Sequence, residues 1–158
     1  MNKASEMPRV SVVIPTYNRA DYIQYTIQSV LQQTYQDLEV IVCDDCSTDN
    51  TVEVVKTIQA STDLPIILDV LPYNLGVSAA RNRSIFLARG ELIAFLDSDD
   101  SWKPEKLEKQ VAFLDENPDF IGVGCSYERI NEYANRKQYF SPDYYLDSSQ
   151  ELFNLLYQ

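Results

Sequence analysis

Asp97, Ser98, Asp99 and Asp100 follow directly on an apolar run, Glu91-Leu92-Ile93-Ala94-Phe95-Leu96, whose pattern predicts a buried β-strand running into a loop. Carboxylates at such a place suit a divalent cation. In a parallel α/β sheet ligands gather outside the carboxyl ends of the strands, and hard cations take oxygen ligands. Asp97 and Asp99, one residue apart, turn toward a common point from a tight loop. A bare Asp-x-Asp (DXD) motif is more often a solvated turn than a metal site, so its meaning depends on what the chain sets beside it.

Two further polar segments follow apolar runs in the same way. Ile14-Pro15-Thr16-Tyr17-Asn18-Arg19 ends the first, and Cys43-Asp44-Asp45-Cys46-Ser47-Thr48-Asp49 ends the second. If the strands are parallel, the three loops share one rim, and Asp44, Asp45, Asp97 and Asp99 face one crevice. Such a cluster is unfavourable without a cation or a hydrogen-bond donor. A nucleobase imide N–H with ribose hydroxyls would satisfy one carboxylate, and a metal held against a diphosphate another.

The elements that must hold these loops are legible as alternating strands and helices. Arg9 to Ile14 predicts a strand that Pro15 stops, and a helix from about Ala20 to Gln33 turns Ile23, Ile27, Val30 and Leu31 inward, with Gln24, Gln28 and Gln32 on its wet face. Leu38 to Cys43 predicts a second strand, and Thr51 to Gln59 a helix with Val55 and Ile58 inward. Pro65 to Leu71 is a third strand, and Val77 to Ala88 a helix that Gly90 ends. After the strand Glu91 to Leu96, Pro104 opens a helix to about Glu116, and Phe120 to Tyr127 reads as a fifth strand. Repeated β-then-α units imply a mostly parallel sheet with right-handed crossovers and helices on both faces. The pattern divides the 158 residues into a polar tail (1–8), an α/β domain (9–128) and a segment without clear periodicity (129–158). The apolar Leu152, Phe153, Leu155 and Leu156 in that last segment suggest that a longer protein continues beyond it.

Composition narrows the partners. A formal net charge of −11, from 24 acidic and 13 basic residues, argues against nucleic acid or an anionic membrane surface, and a phosphorylated ligand would need a cation, local Arg side chains or a helix N-terminus. No apolar stretch reaches the roughly 18 residues of a membrane span. The polar start, Met1 to Arg9, lacks a signal-peptide core, so the expected place is the cytoplasm, at the inner face of the membrane through a parent protein. Cys43, Cys46 and Cys125 make no disulfide framework, and with no histidine in the chain Cys43 and Cys46 are expected as small packing thiols.

The chain resembles the family 2 glycosyltransferases of the Rossmann-like GT-A fold, which use nucleotide-diphospho-sugars. The blocks that carry the resemblance are Val12-Val13-Ile14-Pro15-Thr16-Tyr17-Asn18, Asp44-Asp45-Cys46-Ser47-Thr48-Asp49, Asn74-Leu75-Gly76-Val77-Ser78-Ala79-Ala80-Arg81-Asn82, and Ala94-Phe95-Leu96-Asp97-Ser98-Asp99-Asp100 with Trp102 and Pro104. Four blocks in order at suitable distances are specific where each alone is not. Cys46 departs from the small Gly or Asn more usual at its position.

The resemblance implies an inverting, metal-dependent transferase that moves a sugar, expected from a UDP-sugar, to a hydroxyl of a carbohydrate or lipid-linked acceptor in polysaccharide or glycoconjugate synthesis. Pro15 and Tyr17 would line the base pocket with Thr16 and Asn18 beside them. Asp45 would accept from the base, with Asp44 next to it. Asp97 would hold ribose or a metal-bound water, Ser98 would lie with the donor, and Asp99 would bind Mn²⁺ or Mg²⁺ directly, with Asp97 as second metal residue. Arg81 and Asn82 would flank the diphosphate. Structural alternatives stand beside these: Pro15 as a strand stop, Tyr17 as packing, Asp44 as a cap of the following turn, Arg81 in a surface salt bridge. The catalytic base is expected beyond residue 158, since Glu128, Glu132, Asp143 and Asp147 lie in a segment with no readable framework. A non-catalytic nucleotide-sugar-binding module is the competing reading. A phospho-receiver domain is weaker, because no Lys follows Phe120 to Tyr127 at a suitable place.

Overall fold

The computed structural model describes residues 7–129 and 138–140. The chain divides into two compact units, Met1–Lys106 and Leu107–Gln158.

The first unit is built on β1 (Val10–Thr16), α1 (Ile23–Leu31), β2 (Leu38–Asp44), α2 (Thr51–Gln59), β3 (Ile66–Val70), α3 (Val77–Leu87) and β4 (Leu92–Phe95). The four strands form one parallel sheet in the order β3-β2-β1-β4. Every residue of β1 and β2 is buried, as expected of mostly apolar strands with both faces covered. The core is Val12, Val13, Ile14, Val40, Ile41 and Val42 in the sheet, with Ile23, Ile27 and Val30 of α1 and Val55 of α2 laid against it. From β1 the chain steps outward through β2 to β3, then returns across the sheet to β4 on the other side of β1. Right-handed crossovers therefore put α1 and α2 on one face and α3 on the other. The direction of winding reverses between β1 and β4, and the loops after these two strands open a crevice there.

Three details differ from what the sequence predicts. Pro15 does not stop β1: it is paired in register with Cys43, and the strand runs on to Thr16. The odd-numbered residues of β1 address β4, as Arg9 and Val13 do in accepting from Leu92 and Leu96. β4 ends at Phe95, opposite Val13. The N–H that Pro15 lacks would thus point where, among the described residues, no strand remains to receive it. β4 is also less buried than a central strand, with Phe95 57% exposed, because it forms the edge of the sheet. Gly90 is not the residue that ends α3, whose cap is Ala88. It is needed for close approach, since a Cβ on Gly90 would stand 2.6 Å from the backbone nitrogen of Ser11.

At the opposite end of the sheet from the crevice, Glu39 is fully buried. Ser11 Oγ and the Arg89 N–H donate to its Oε1 at 2.7 and 2.8 Å, and Arg89 Nε and Nη2 donate to Oε2 at 2.9 and 2.6 Å. Burial alone would raise this carboxyl, but the donors from Arg89 and Ser11 hold it below its ordinary range.

In the second unit, α4 (Lys106–Glu116) buries Leu107 and Val111. The Phe113 and Phe120 rings meet edge to face at 5.4 Å. The expected strand from Phe120 to Tyr127 is not formed. Residues 120–126 are irregular, and the short β5 (Tyr127–Arg129) pairs antiparallel with β6 (Gln138–Phe140). Gly122 and Gly124 leave that run few side chains to pack. The remaining expectations for residues 130–158, including Glu132, Asp143, Asp147 and the apolar Leu152 to Leu156, fall outside the described residues, apart from β6.

Candidate functional site

The loop after β1 is fastened to the loop after β2 along its length. Asn18 N–H donates to Ser47 Oγ and Arg19 N–H to Thr51 Oγ1, both at 2.8 Å, and Ala20 N–H donates to Asp49 Oδ2 at 3.1 Å. In return, Asn18 Oδ1 accepts from the Thr48 N–H at 2.8 Å. Asn18 takes a left-handed φ of 51° to make these contacts, a conformation that asparagine tolerates better than most residues. Cys46 has φ 65°, which explains why a Gly or Asn would be more usual there. It is half-buried in a turn, whereas Cys43 is a core thiol that burial, reinforced by Asp69, pushes up to about 11.

Asp44 and Asp45 lie within this framework. Asp44 is fully buried and accepts from the Ser47 N–H at 2.8 Å and from the Ser47 hydroxyl, so it caps the turn after β2. Asp45 reaches further. Its Oδ1 accepts from the Leu75 N–H at 2.7 Å and its Oδ2 from the Gly76 N–H at 2.8 Å, at the mouth of α3. Gly76, at φ 89°, presents its N–H there in a conformation that a side chain would resist. Asp45 N–H in turn donates to the Thr16 carbonyl at 2.8 Å. Thr16 is 3% exposed, and its Oγ1 is the buried side-chain oxygen that lacks a hydrogen-bond partner among the described residues. A hydroxyl so placed, at the carboxyl end of a central strand beside a carboxylate, is available to a ligand.

The acidic loop after β4 is positioned from α1. Thr26 Oγ1 donates to the Ser98 carbonyl at 3.0 Å, Trp102 N–H donates to Ser29 Oγ at 3.1 Å, and Gln33 Nε2 donates to the Lys103 carbonyl at 2.9 Å. Ser98 is consequently buried, while Asp97 and Asp99 project outward. Each meets a guanidinium. Arg81 Nη2 of α3 donates to Asp97 Oδ1 at 2.8 Å, and Arg19 Nε stands 3.5 Å from Asp99 Oδ2, across the crevice between β1 and β4. Desolvation in the loop, with Asp99 and Asp97 beside it, pushes the Asp100 carboxyl up. A cleft of about 330 Å³ opens along this loop, lined by Arg81, Phe95, Leu96, Asp97, Asp100 and Trp102. Lys106 Nζ sits 3.9 Å over the Trp102 ring.

Of the residues expected at the site, Pro15, Thr16, Asn18, Asp44, Asp45, Arg81, Asp97, Ser98 and Asp99 belong to these interlocked loops and their contacts. Tyr17 is 42% exposed at the rim. Asn82 is exposed on α3, and no hydrogen bond or ion pair joins it to the loops among the described residues. Arg19 carries no assigned role in the sequence reading, although a basic residue closing the first polar block of an acidic chain was a visible signal. The anchoring of the acidic loop by Thr26, Ser29 and Gln33 had none, because it depends on how α1 lies against that loop.

The donor set on the acidic loop suits magnesium or manganese. Such ions bind one or two carboxylates and complete their shell with water and phosphate oxygens, and here Asp97 and Asp99 are already set against positive charge. No group of three or more His, Cys, Asp or Glu side chains is poised for a metal among the described residues.

Comparison with known proteins gives a consistent result. The profile of Glycosyl transferase family 2 matches residues 11–157. Over 121 residues the chain is 40% identical to the UDP-Glc:alpha-D-GlcNAc-diphosphoundecaprenol beta-1,3-glucosyltransferase WfaP of Escherichia coli, a match that covers 77% of this chain and 47% of that protein. Among solved structures it is similar to S. aureus TarS 1-349 in complex with UDP, with TM-score 0.66, 36% identity and coverage of 70% of this chain and 33% of that one. It is also similar to the mannosyltransferase PcManGT of Pyrobaculum calidifontis in complex with GDP-Man and Mn²⁺, with TM-score 0.72, 32% identity and coverage of 79% and 37%. The chain spans about half or less of the length of the curated relatives it matches.

Proposed function

The chain belongs to glycosyl transferase family 2 and has its GT-A fold, and from that premise we propose that it forms the donor-binding part of an inverting glycosyltransferase that takes a UDP-sugar. The acceptor on this reading is a hydroxyl of a carbohydrate or lipid-linked glycan, in polysaccharide or glycoconjugate synthesis; the E. coli relative is named for an alpha-D-GlcNAc-diphosphoundecaprenol substrate. No helix among the described residues is long and apolar enough to cross a membrane.

The observation that carries the reading is the meeting of the acidic loop and the β1 loop across the point where the sheet reverses its winding. Tyr17 at the rim offers a face for the base. The Thr16 hydroxyl has an unused hydrogen bond for the nucleoside, and Asp45 keeps further lone pairs on oxygens that the Leu75 and Gly76 N–H groups hold in place. On this reading Asp45, 2% exposed in the free protein, would accept an imide N–H, as in uracil, through one of those lone pairs. A divalent cation held by Asp99 and Asp97 would supply charge neutralisation for the diphosphate leaving group. Arg81, paired with Asp97 at 2.8 Å, would meet phosphate oxygens on this reading.

The test is a calorimetric titration of UDP with and without Mn²⁺, in the native chain and in Asp99→Ala. We expect binding that weakens at least about tenfold when Mn²⁺ is withheld or Asp99 is removed. The melting temperature should be little changed, since Asp99 is exposed on a loop. Equal affinity with and without metal would refute the metal assignment, and absence of any UDP binding would refute the donor site.

A further inference from the structure

Arg19 forms an ion pair with Asp99, and among the described residues its guanidinium is otherwise held by one long hydrogen bond, from Nη1 to the Asn18 carbonyl at 3.3 Å. The backbone N–H donates to Thr51 Oγ1, and the flanking Asn18 and Ala20 are tied to Ser47 and Asp49. The side chain is 43% exposed, and its Nε lies 3.5 Å from Asp99 Oδ2, longer than a good charge-assisted hydrogen bond. It stands on the β1 side of the crevice and Asp99 on the β4 side, so their ion pair spans the gap between the two loops.

We propose that Arg19 binds the diphosphate of the donor, and that in the nucleotide-free protein it pairs instead with Asp99, so that metal and nucleotide binding are coupled through transfer of this guanidinium from carboxylate to phosphate. The inference rests on the donor-site reading above. A divalent cation and the guanidinium compete for the Asp99 carboxylate. Phosphate oxygens match the planar fork of an arginine and draw it away, which frees Asp99 for the metal. A dication alone meets a loop whose charge Arg19 and Arg81 already offset, and binds weakly. Because coupling between two ligands is reciprocal, whatever Arg19 contributes to the preference of nucleotide for the metal-loaded site it contributes equally to the preference of metal for the nucleotide-loaded site.

The experiment uses residues 1–158 with Mn²⁺ alone, followed by the electron paramagnetic resonance of the free ion, and UDP plus Mn²⁺, followed by calorimetry, in the native chain, Arg19→Ala and Arg19→Lys. Arg19→Ala should bind Mn²⁺ alone about threefold more tightly, the scale of releasing an exposed ion pair, and UDP with Mn²⁺ about tenfold more weakly, the scale of one charged hydrogen bond. Arg19→Lys should recover most of the UDP affinity. A merely structural role would not move the two constants in opposite directions. If the native chain binds UDP with metal dependence but Arg19→Ala changes neither constant, or shifts both the same way, the exchange is overturned and the donor site stands. If the native chain binds UDP equally with and without Mn²⁺, the metal reading fails and the exchange fails with it.

Discussion

Thr16→Val separates what the site needs from what the fold needs. Thr16 is 3% exposed, and its buried hydroxyl oxygen has no hydrogen-bond partner among the described residues. A buried hydroxyl left unpaired costs about 1–3 kcal/mol relative to an apolar group of the same shape. Thr16 is the last residue of β1 and sits at the rim rather than at mid-sheet, so the lower part of that range applies. Valine also suits a buried strand. The variant should therefore be more stable without nucleotide by about 1 kcal/mol, which for a protein of this size raises the melting temperature by roughly 2–4 °C. With UDP and Mn²⁺ the missing hydrogen bond should weaken binding about two- to tenfold. The stabilisation that saturating UDP adds should fall accordingly, because ligand binding and folding are linked. Urea unfolding with and without UDP measures both effects in one series. A variant less stable than the native protein without nucleotide would show that the hydroxyl is satisfied in the fold. A more stable variant with unchanged UDP affinity would show that it does not face the donor.

Glu39→Ala removes the acceptor for four hydrogen bonds and strands Arg89, but Arg89 is 46% exposed and regains water, so the loss should sit near the lower end for a broken buried pair, about 3 kcal/mol in denaturant unfolding. Since the folded carboxyl is held below its ordinary value of 4.5, its contribution should be complete above that pH and be lost as the pH falls through the lower folded value; the native protein should show this acid destabilisation and Glu39→Ala should show less of it. Gly90→Ala should destabilise by about 1–3 kcal/mol through the clash with the Ser11 backbone, and a melting temperature equal to that of the native protein would refute the close-approach role. At pH 8 a thiol reagent should label Cys46 and Cys125 in the folded protein and reach Cys43 only on unfolding, as mass spectrometry would read directly.

Local signals located most of the elements and all three rim loops. The helix Thr51–Gln59 has the bounds its spacing predicts, because inward Val55 and Ile58 fall one turn apart within it and the polar run Ser47 to Asn50 lies directly ahead of its first turn. The mostly apolar runs of β1 and β2 announce strands covered on both faces, and strand-then-helix alternation announces a parallel sheet. Once the strands are parallel, Thr16, Asp45 and Asp99 have to share an edge. That much follows from residue order and chain chirality alone.

Tertiary structure decided what those residues are bonded to. Pro15 lies inside β1 because β4 ends too early to need its N–H, which depends on a neighbour some eighty residues away. Asp44 became a local cap, while Asp45, one residue on, was drawn to the Leu75 and Gly76 N–H groups, a difference set by which side of β2 each carboxylate leaves. Gly90 is required by Ser11, and Arg19 meets Asp99 because the sheet reverses its winding between their strands. Periodicity and caps are properties of a few adjacent residues and survive in the sequence as pattern. The partner of a carboxylate, a missing N–H or an unpaired hydroxyl is set by the packing of distant segments, and the chain order alone does not encode that distance.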